Sequence, residues 1–332
     1  MISALPVQCI FDNTTQNDFL LTVAIPTYKR FDLLNECLNT LSQCEFTFPI
    51  EIIVVDNDPE NLIHAHELIE RQSIADFRYY KNSENYGMFG NWNQCLNLAR
   101  GKYVTLLHDD DVLNSTFSRA MNALVSSGEL QAKTLVGFNV EILDQRHSSD
   151  LVRSNGLLQR FKAFARRTKT NATRTIGLDD LLFSNVFQGT LGVVMLRDNA
   201  IIMGGFDQKM YPISDYDFWV RWVTLFGDIT IKPDVVGLYR IQKNESLRAE
   251  VIQGFINKNL EMRKKIFSSV GDSFVYRMFI KAKRLNDKLD CDYQWAGSGN
   301  KFGLAKSFFY MFVKISALIL WKIVKMKMKK NE

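Results

Sequence analysis

Apolar residues along this chain fall into two alternating spacings. Leu20–Pro26 (LLTVAIP) is a largely apolar run of the length of a buried strand, and it stops at a proline. Leu33, Leu34, Cys37, Leu38 and Leu41 then recur at helical spacing. Glu51–Val55 (EIIVV) predicts a second buried strand, closed by the turn signal Asp56-Asn57-Asp58-Pro59. A helix is expected through His64–Arg71, a short strand at Phe77–Tyr80, a helix over about Phe89–Ala99 and a strand at Lys102–Leu107. Strands alternating with helices of this size predict an α/β fold with a mostly parallel central sheet and helices on both faces.

In open sheets of this kind the ligand lies outside the carboxyl ends of the strands. Polar residues collect at those ends: Pro26-Thr27-Tyr28-Lys29-Arg30, then Asp56-Asn57-Asp58, then His108-Asp109-Asp110-Asp111. Neither GxGxxG nor GxxxxGK[ST] occurs, so a nucleotide would be held by some other device. Three adjacent carboxylates at the end of a buried strand repel one another, and burying their charge without a partner is costly. A hard divalent cation resolves that conflict, because Mg²⁺ or Mn²⁺ takes oxygen ligands and needs only one or two carboxylates beside phosphate oxygens. The alternative is a solvated turn whose acids precede a helix starting near Asn114-Ser115.

The blocks VAIPTYKR (Val23–Arg30), IIVVDND (Ile52–Asp58), NYGMFGNWNQCLNLARGKYVTLLHDDDVL (Asn85–Leu113), Gly204-Gly205-Phe206-Asp207 and ISDYDFWVRW (Ile213–Trp222) occur in that order. Taken together they resemble the family 2 glycosyltransferases, inverting nucleotide-sugar-dependent enzymes of the GT-A fold, over roughly residues 20–245. The resemblance implies that Pro26, Thr27 and Tyr28 line the nucleoside base, with Arg30 in the same donor loop, and that Asp56 accepts from the ring imide. Asn85 and Gly87 would bring a loop against the donor, and Asn91 or Asn93 would reach ribose or diphosphate. Asp109–Asp111 matches the acidic metal motif, with Asp111 a direct ligand of Mn²⁺ or Mg²⁺, and Asp109 and Asp110 holding ribose or a metal-bound water. His108 stands where many relatives carry the first acid, so the register is open, and Asp109 is a second candidate ligand. Asp215 falls at the general base, with Ser214 replacing a glutamate. Asp217 is expected to pair with Arg221 one helical turn on. Gln242 stands where the family often has a histidine, and Arg240 is either a phosphate contact or a structural pair.

The implied organisation is an N-terminal extension (1–19), a GT-A domain (20–245) and a helical C-terminal region (246–332). Within the GT-A domain, 20–113 would hold donor and metal and 114–245 the acceptor. The implied function is inverting sugar transfer from a UDP- or dTDP-linked donor to a hydroxyl of a glycan or lipid-linked glycan, in cell-envelope polysaccharide synthesis. A sugar nucleotidyltransferase, or an inactive scaffold of the same fold, would share much of this pattern.

Composition narrows the partners. Of 332 residues, 46% are hydrophobic and 23% charged, a balance that excludes a disordered chain or a multi-span membrane protein. The net charge of +5 comes mostly from Lys322, Lys325, Lys327, Lys329 and Lys330 in the last eleven residues, so a broad nucleic-acid-binding face is not expected. Residues 151–174 form a second basic stretch without acids. Phe308–Val324 is apolar, but Lys314 and Lys322 leave too short a charge-free core for a bilayer crossing. Lys314, Lys322, Lys325 and Lys329 share one helical stripe, the pattern of a helix lying on an anionic membrane surface. Five scattered cysteines and no signal-peptide pattern point to reduced thiols and a cytoplasmic, membrane-peripheral setting. His64 and His66 are expected on a surface helix, without a metal role.

Overall fold

The computed structural model describes residues 2–145, 172–241, 249–270, 273–294 and 304–329. Most of the basic stretch at 151–174, and Gln242, lie outside the described residues. The chain divides into two compact units. One comprises Met1–Thr175, Phe187–Phe206 and Leu225–Gln242; the other comprises Ile176–Val186, Asp207–Thr224 and Lys243–Glu332.

The first unit is built on a mixed, largely parallel sheet. Its strands are β1 (Val7–Asp12), β2 (Leu21–Thr27), β3 (Ile50–Asp56), β4 (Phe77–Asn82), β5 (Tyr103–Leu106), β6 (Val112–Leu113), β7 (Leu135–Asp144), β8 (Arg174–Ile176), β9 (Val193–Leu196) and β10 (Ile229–Ile241). They lie in the order β1-β4-β3-β2-β5-β9-β7-β10-β6, with β8 beside β10. Strands β4, β3, β2 and β5 are parallel neighbours, as are β7 and β10, while β1, β9 and β6 run the other way. The two central runs behave as their sequences predict: every residue of β2 is buried, and β3 is buried from Glu51 onward. Pro26 sits past Ala24, where the pairing of β2 with β5 ends, so that side of the ladder is already open. Helices α1 (Phe31–Leu41), α2 (Leu62–Glu70), α3 (Gly87–Leu98) and α4 (Ser115–Ser126) connect the early strands. The first of these buries Leu34, Cys37, Leu38 and Leu41, the stripe expected from the spacing.

One element departs from expectation: Val7–Asp12, inside the anticipated extension, forms the edge strand β1 against β4. Its half-exposed, irregular burial gives too weak an alternation to stand out in the sequence. His64 and His66 lie exposed on α2, and all five cysteines are free thiols.

The second unit is helical, with α5 (Leu178–Leu181), the start of α7 (Ser214–Phe226; α6 is Arg197–Ile202 of the first unit), α8 (Ala249–Val270), α9 (Phe274–Gln294) and α10 (Leu304–Met328). Arg263 is buried here: its guanidinium donates to the carbonyls of Leu182 (2.9 Å) and Phe183 (3.2 Å) and pairs with Asp287, which also takes Lys283. A groove of about 490 Å³ between α8 and α9 is lined by Leu260, Phe267 and Ile280, with Lys264, Lys281 and Arg284 around them. Helix α10 buries Val313, Ala317, Val324 and Met328 on this unit. Trp321 Nε1 donates to the Asp179 carbonyl (2.6 Å), and Lys325 bridges Asp180 (2.6 Å) and Asp179 (3.1 Å). The other side of α10 leaves Phe308, Phe312, Ile315, Ile319 and Met326 in solvent. By length and composition Ala305–Met328 is apolar enough to cross a membrane (mean hydropathy 1.7, 17% buried).

Candidate active site

Because β2, β3, β4 and β5 are parallel, their carboxyl ends share one edge of the sheet. Thr27, Asp56, Asn82 and, just past Leu106, His108–Asp111 are therefore delivered to that edge by four different strands.

The acidic run does not act as one block. Thr27 Oγ1 donates to Asp109 Oδ2 (2.7 Å), and Arg30 pairs with Asp109 Oδ1 (2.8 Å) and Asp110 Oδ2 (2.7 Å). Asp111 Oδ1 accepts the backbone N–H of Arg240 (3.0 Å), while its Oδ2, also buried, has no hydrogen-bond donor among the described residues. Burial pushes the carboxyls of Asp109 and Asp111 up, to about 6 and about 8, with Asp110 adding repulsion in both cases. Ligand atoms of His108, Asp110 and Asp111 lie within 4.8 Å of one another. The expectation placed Asp109 with Asp111 on the metal; the converging set has Asp110 and His108 instead, because Thr27 and Arg30 occupy Asp109. An orphaned, buried carboxylate oxygen beside a half-buried carboxylate and an imidazole suits Mn²⁺ or Mg²⁺.

Asp56 is fully buried, its Oδ2 accepting from Lys81 Nζ (2.9 Å) and Tyr79 Oη (3.1 Å) and its Oδ1 from the Asp58 N–H (2.9 Å). Burial outweighs these donors and holds its carboxyl above the usual range. Thr27 ends the buried run, and Tyr28, Lys29 and Arg30 after it are exposed, with Lys29 in the left-handed region (φ 56°).

The asparagines mostly hold backbone. Asn57 Nδ2 donates to Asn85 Oδ1 (2.7 Å), which also accepts the Gly87 N–H (2.9 Å); Gly87 itself is left-handed (φ 72°). Asn82 Nδ2 donates to both Asn57 Oδ1 and Asn91 Oδ1 (2.9 Å each). Asn91 Nδ2 is turned to the Val55 carbonyl (3.0 Å), and Asn93 grips both backbone groups of Phe206 (2.8 and 2.9 Å). Asn91 and Asn93 therefore do not reach a ribose or diphosphate as expected: their amides are spent inside the protein. The same clamp constrains Gly205 (φ 69°), where an added Cβ would lie 2.2 Å from Asn93 Oδ1. Gly205→Ala is expected to cost more than about 1 kcal/mol in urea unfolding; an unchanged midpoint would mean the clamp yields freely.

Arg240 resolves as a structural pair, its guanidinium bidentate on Glu36 (2.8 and 3.1 Å). The sequence alone did not reveal Glu36, Lys81, Asn57 or Asn82. The one available signal was a polar Lys-Asn pair ending an otherwise aromatic strand.

In the second unit, Asp215 lies in the first turn of α7 and accepts from Asn185 Nδ2 (2.9 Å). Burial raises its carboxyl to about 6. Asp217 pairs with Arg221 (2.7 Å), as its i,i+4 spacing predicts.

A parallel sheet presenting acids and a hydroxyl along its carboxyl edge, followed by helices, defines the GT-A class of α/β domain. Solved structures share this fold: S. aureus TarS 1-349 in complex with UDP-GlcNAc (TM-score 0.56, 13% identity, 94% of this chain and 92% of that one) and the mannosyltransferase PcManGT from Pyrobaculum calidifontis in complex with GDP-Man and Mn²⁺ (TM-score 0.52, 16% identity, 97% and 86%). Residues 22–176, just under half of the chain, match the family model Glycosyl transferase family 2. An uncharacterized protein of Mycobacterium tuberculosis is 27% identical over 210 residues, which is 61% of each chain, so less than two thirds of that relative is covered. The GalNAc(5)-diNAcBac-PP-undecaprenol beta-1,3-glucosyltransferase of Campylobacter jejuni is 34% identical over 99 residues, 29% of this chain and 31% of the relative.

Proposed function

We propose that this protein is an inverting glycosyltransferase that moves a sugar from a nucleotide-sugar donor to a hydroxyl of a glycan or lipid-linked glycan in cell-envelope polysaccharide synthesis. The observation that carries the donor half of this reading is the buried, unpartnered Oδ2 of Asp111 beside Asp110 at the carboxyl edge of parallel strands. Tyr28 and Arg30 offer an exposed ring and cation to base and phosphate. Pro26, Thr27 and Asp56 form the rigid floor beneath them, and Asn85 and Gly87 fix the loop that follows β4. A divalent cation held by Asp111 and Asp110 would supply Lewis-acid neutralisation of the departing nucleoside diphosphate. Asp215 takes the proton of the attacking acceptor hydroxyl, the step for which a carboxylate half-titrated near pH 6 is suited.

Structures that share the fold hold different carriers, UDP-GlcNAc in TarS 1-349 and GDP-Man in PcManGT. A UDP or dTDP carrier is the expectation for this chain. The relative acting on an undecaprenol-linked glycan supports a lipid-linked acceptor. So does helix α10, whose exposed Phe308, Phe312, Ile315 and Ile319 adjoin the lysine stripe and suit a membrane surface. One side of the helix is held by its own unit, which fits lying on a bilayer better than crossing it.

Calorimetric titration with UDP, dTDP, GDP and CDP, each with and without Mn²⁺, tests the reading. One nucleoside diphosphate should bind with clear metal dependence. Failure of a folded protein to bind any of the four would reject it in favour of an inactive scaffold.

A further inference from the structure

We propose that His108 is itself a ligand of the divalent cation through Nδ1, so that the site is a mixed nitrogen–oxygen centre that prefers manganese to magnesium. This rests on the transferase reading above, which supplies the cation; the nitrogen ligand goes beyond it.

The argument is an accounting of protons around one ring. Thr190 Oγ1 lies 3.1 Å from the Leu106 carbonyl and 3.2 Å from His108 Nε2. A hydroxyl has a single proton, and a carbonyl oxygen can only accept, so the Thr190 proton goes to Leu106. The hydroxyl must then accept from His108, which puts the ring proton on Nε2 and leaves a lone pair on Nδ1. That lone pair faces the cluster: Nδ1 lies 3.6 Å from Asp111 Oδ2, the oxygen without a donor. Two acceptors side by side, one of them buried, call for a shared electrophile. A proton between them would be a poor answer, because 3.6 Å is beyond a hydrogen bond.

One face of the ring is held in this pose by an aromatic neighbour, and its Cε1 edge is left clear. It stacks on Trp92 (centroids 4.7 Å apart, planes at 26°), and Gly189, left-handed at φ 59°, leaves room at Cε1 that a Cβ would narrow to 3.4 Å. An imidazole whose far nitrogen donates to a fixed acceptor is the usual arrangement of a histidine metal ligand. Mg²⁺ takes oxygen almost exclusively, whereas imidazole suits transition ions, so a nitrogen in the set tilts selection toward Mn²⁺.

The test uses the full chain with Mn²⁺ and UDP, prepared with natural and with ¹⁵N-labelled histidine, and reads pulsed electron paramagnetic resonance. Nitrogen modulation that changes with the histidine isotope is the expected result. It requires no mutation, so misfolding cannot mimic it. Calorimetry with Mn²⁺ and Mg²⁺ gives a second readout. His108→Asp should abolish the nitrogen signal and narrow the manganese preference. Thr190→Val, which leaves the ring but removes its acceptor, should weaken Mn²⁺ about tenfold. Bound Mn²⁺ without isotope-sensitive modulation would overturn the assignment while leaving the metal-dependent transferase standing. Absence of Mn²⁺ binding by the folded protein with UDP would overturn both.

Discussion

Asp215→Asn is expected to lower turnover by about 10²–10⁴-fold while leaving nucleoside diphosphate binding nearly unchanged. The substitution keeps the size of the side chain and an oxygen for Asn185 to donate to, at the 2.9 Å contact of the native pair. What it removes is a carboxylate able to take a proton. Burial lifts the native carboxyl to about 6, above the ordinary aspartate value. A base works when deprotonated, so kcat/KM should be level above that pH and fall about tenfold per unit below it. The acid limb should be missing from whatever activity Asp215→Asn retains. Steady-state rates across pH 5–8, set beside the calorimetric affinity, decide the matter. Equal loss of binding and turnover would mark Asp215 as a structural acid favoured at a helix start.

Arg263→Ala should be the most destabilising of the simple truncations, by about 3–5 kcal/mol in urea unfolding. The guanidinium is 2% exposed and answers three groups at once: the carbonyls of Leu182 and Phe183 and the carboxylate of Asp287. Removing it strands two carbonyls and leaves Asp287 with Lys283 alone. Replacing Arg263, Lys283 and Asp287 together by apolar residues of similar volume should recover much of that loss, since the buried charges no longer need one another. A loss below about 1 kcal/mol for the single change would show that water or rearranged side chains substitute for the guanidinium.

The parts of the fold that were legible in the sequence are those set by short-range pattern. The buried runs of β2 and β3, the Leu34–Leu41 stripe and the i,i+4 pair of Asp217 and Arg221 all follow from spacing alone. The acids at the strand ends were legible as a group because parallel strands must share an edge. Their individual duties were not. Whether Asp109 or Asp110 faces a cation depends on Thr27 and Arg30, about eighty residues away. Asn93 is fixed to Phe206 across 113 residues and Arg240 to Glu36 across 204, and no local pattern encodes such partners. The asparagines misled for a related reason: the amide that suits a ribose hydroxyl suits a backbone carbonyl equally well. Edge strand β1 was missed because half its residues face solvent, so its hydrophobic signal is diluted.

The grip of Arg30 on Asp109 and Asp110 lets the acidic cluster stand without a bound cation. The guanidinium acts as a tethered counterion: it offsets part of the cluster's charge from within, at 2.8 and 2.7 Å, on a loop that is otherwise exposed. On the metal-dependent reading proposed above, a cation held by Asp110 would compete with that grip, and charging the site would be an exchange of one cation for another rather than a simple addition. Exchange of this kind would lower intrinsic metal affinity and free a positive side chain as the site fills. A nucleoside diphosphate arriving with the metal would then meet the released arginine, which ties the entry of donor and cation into a single event.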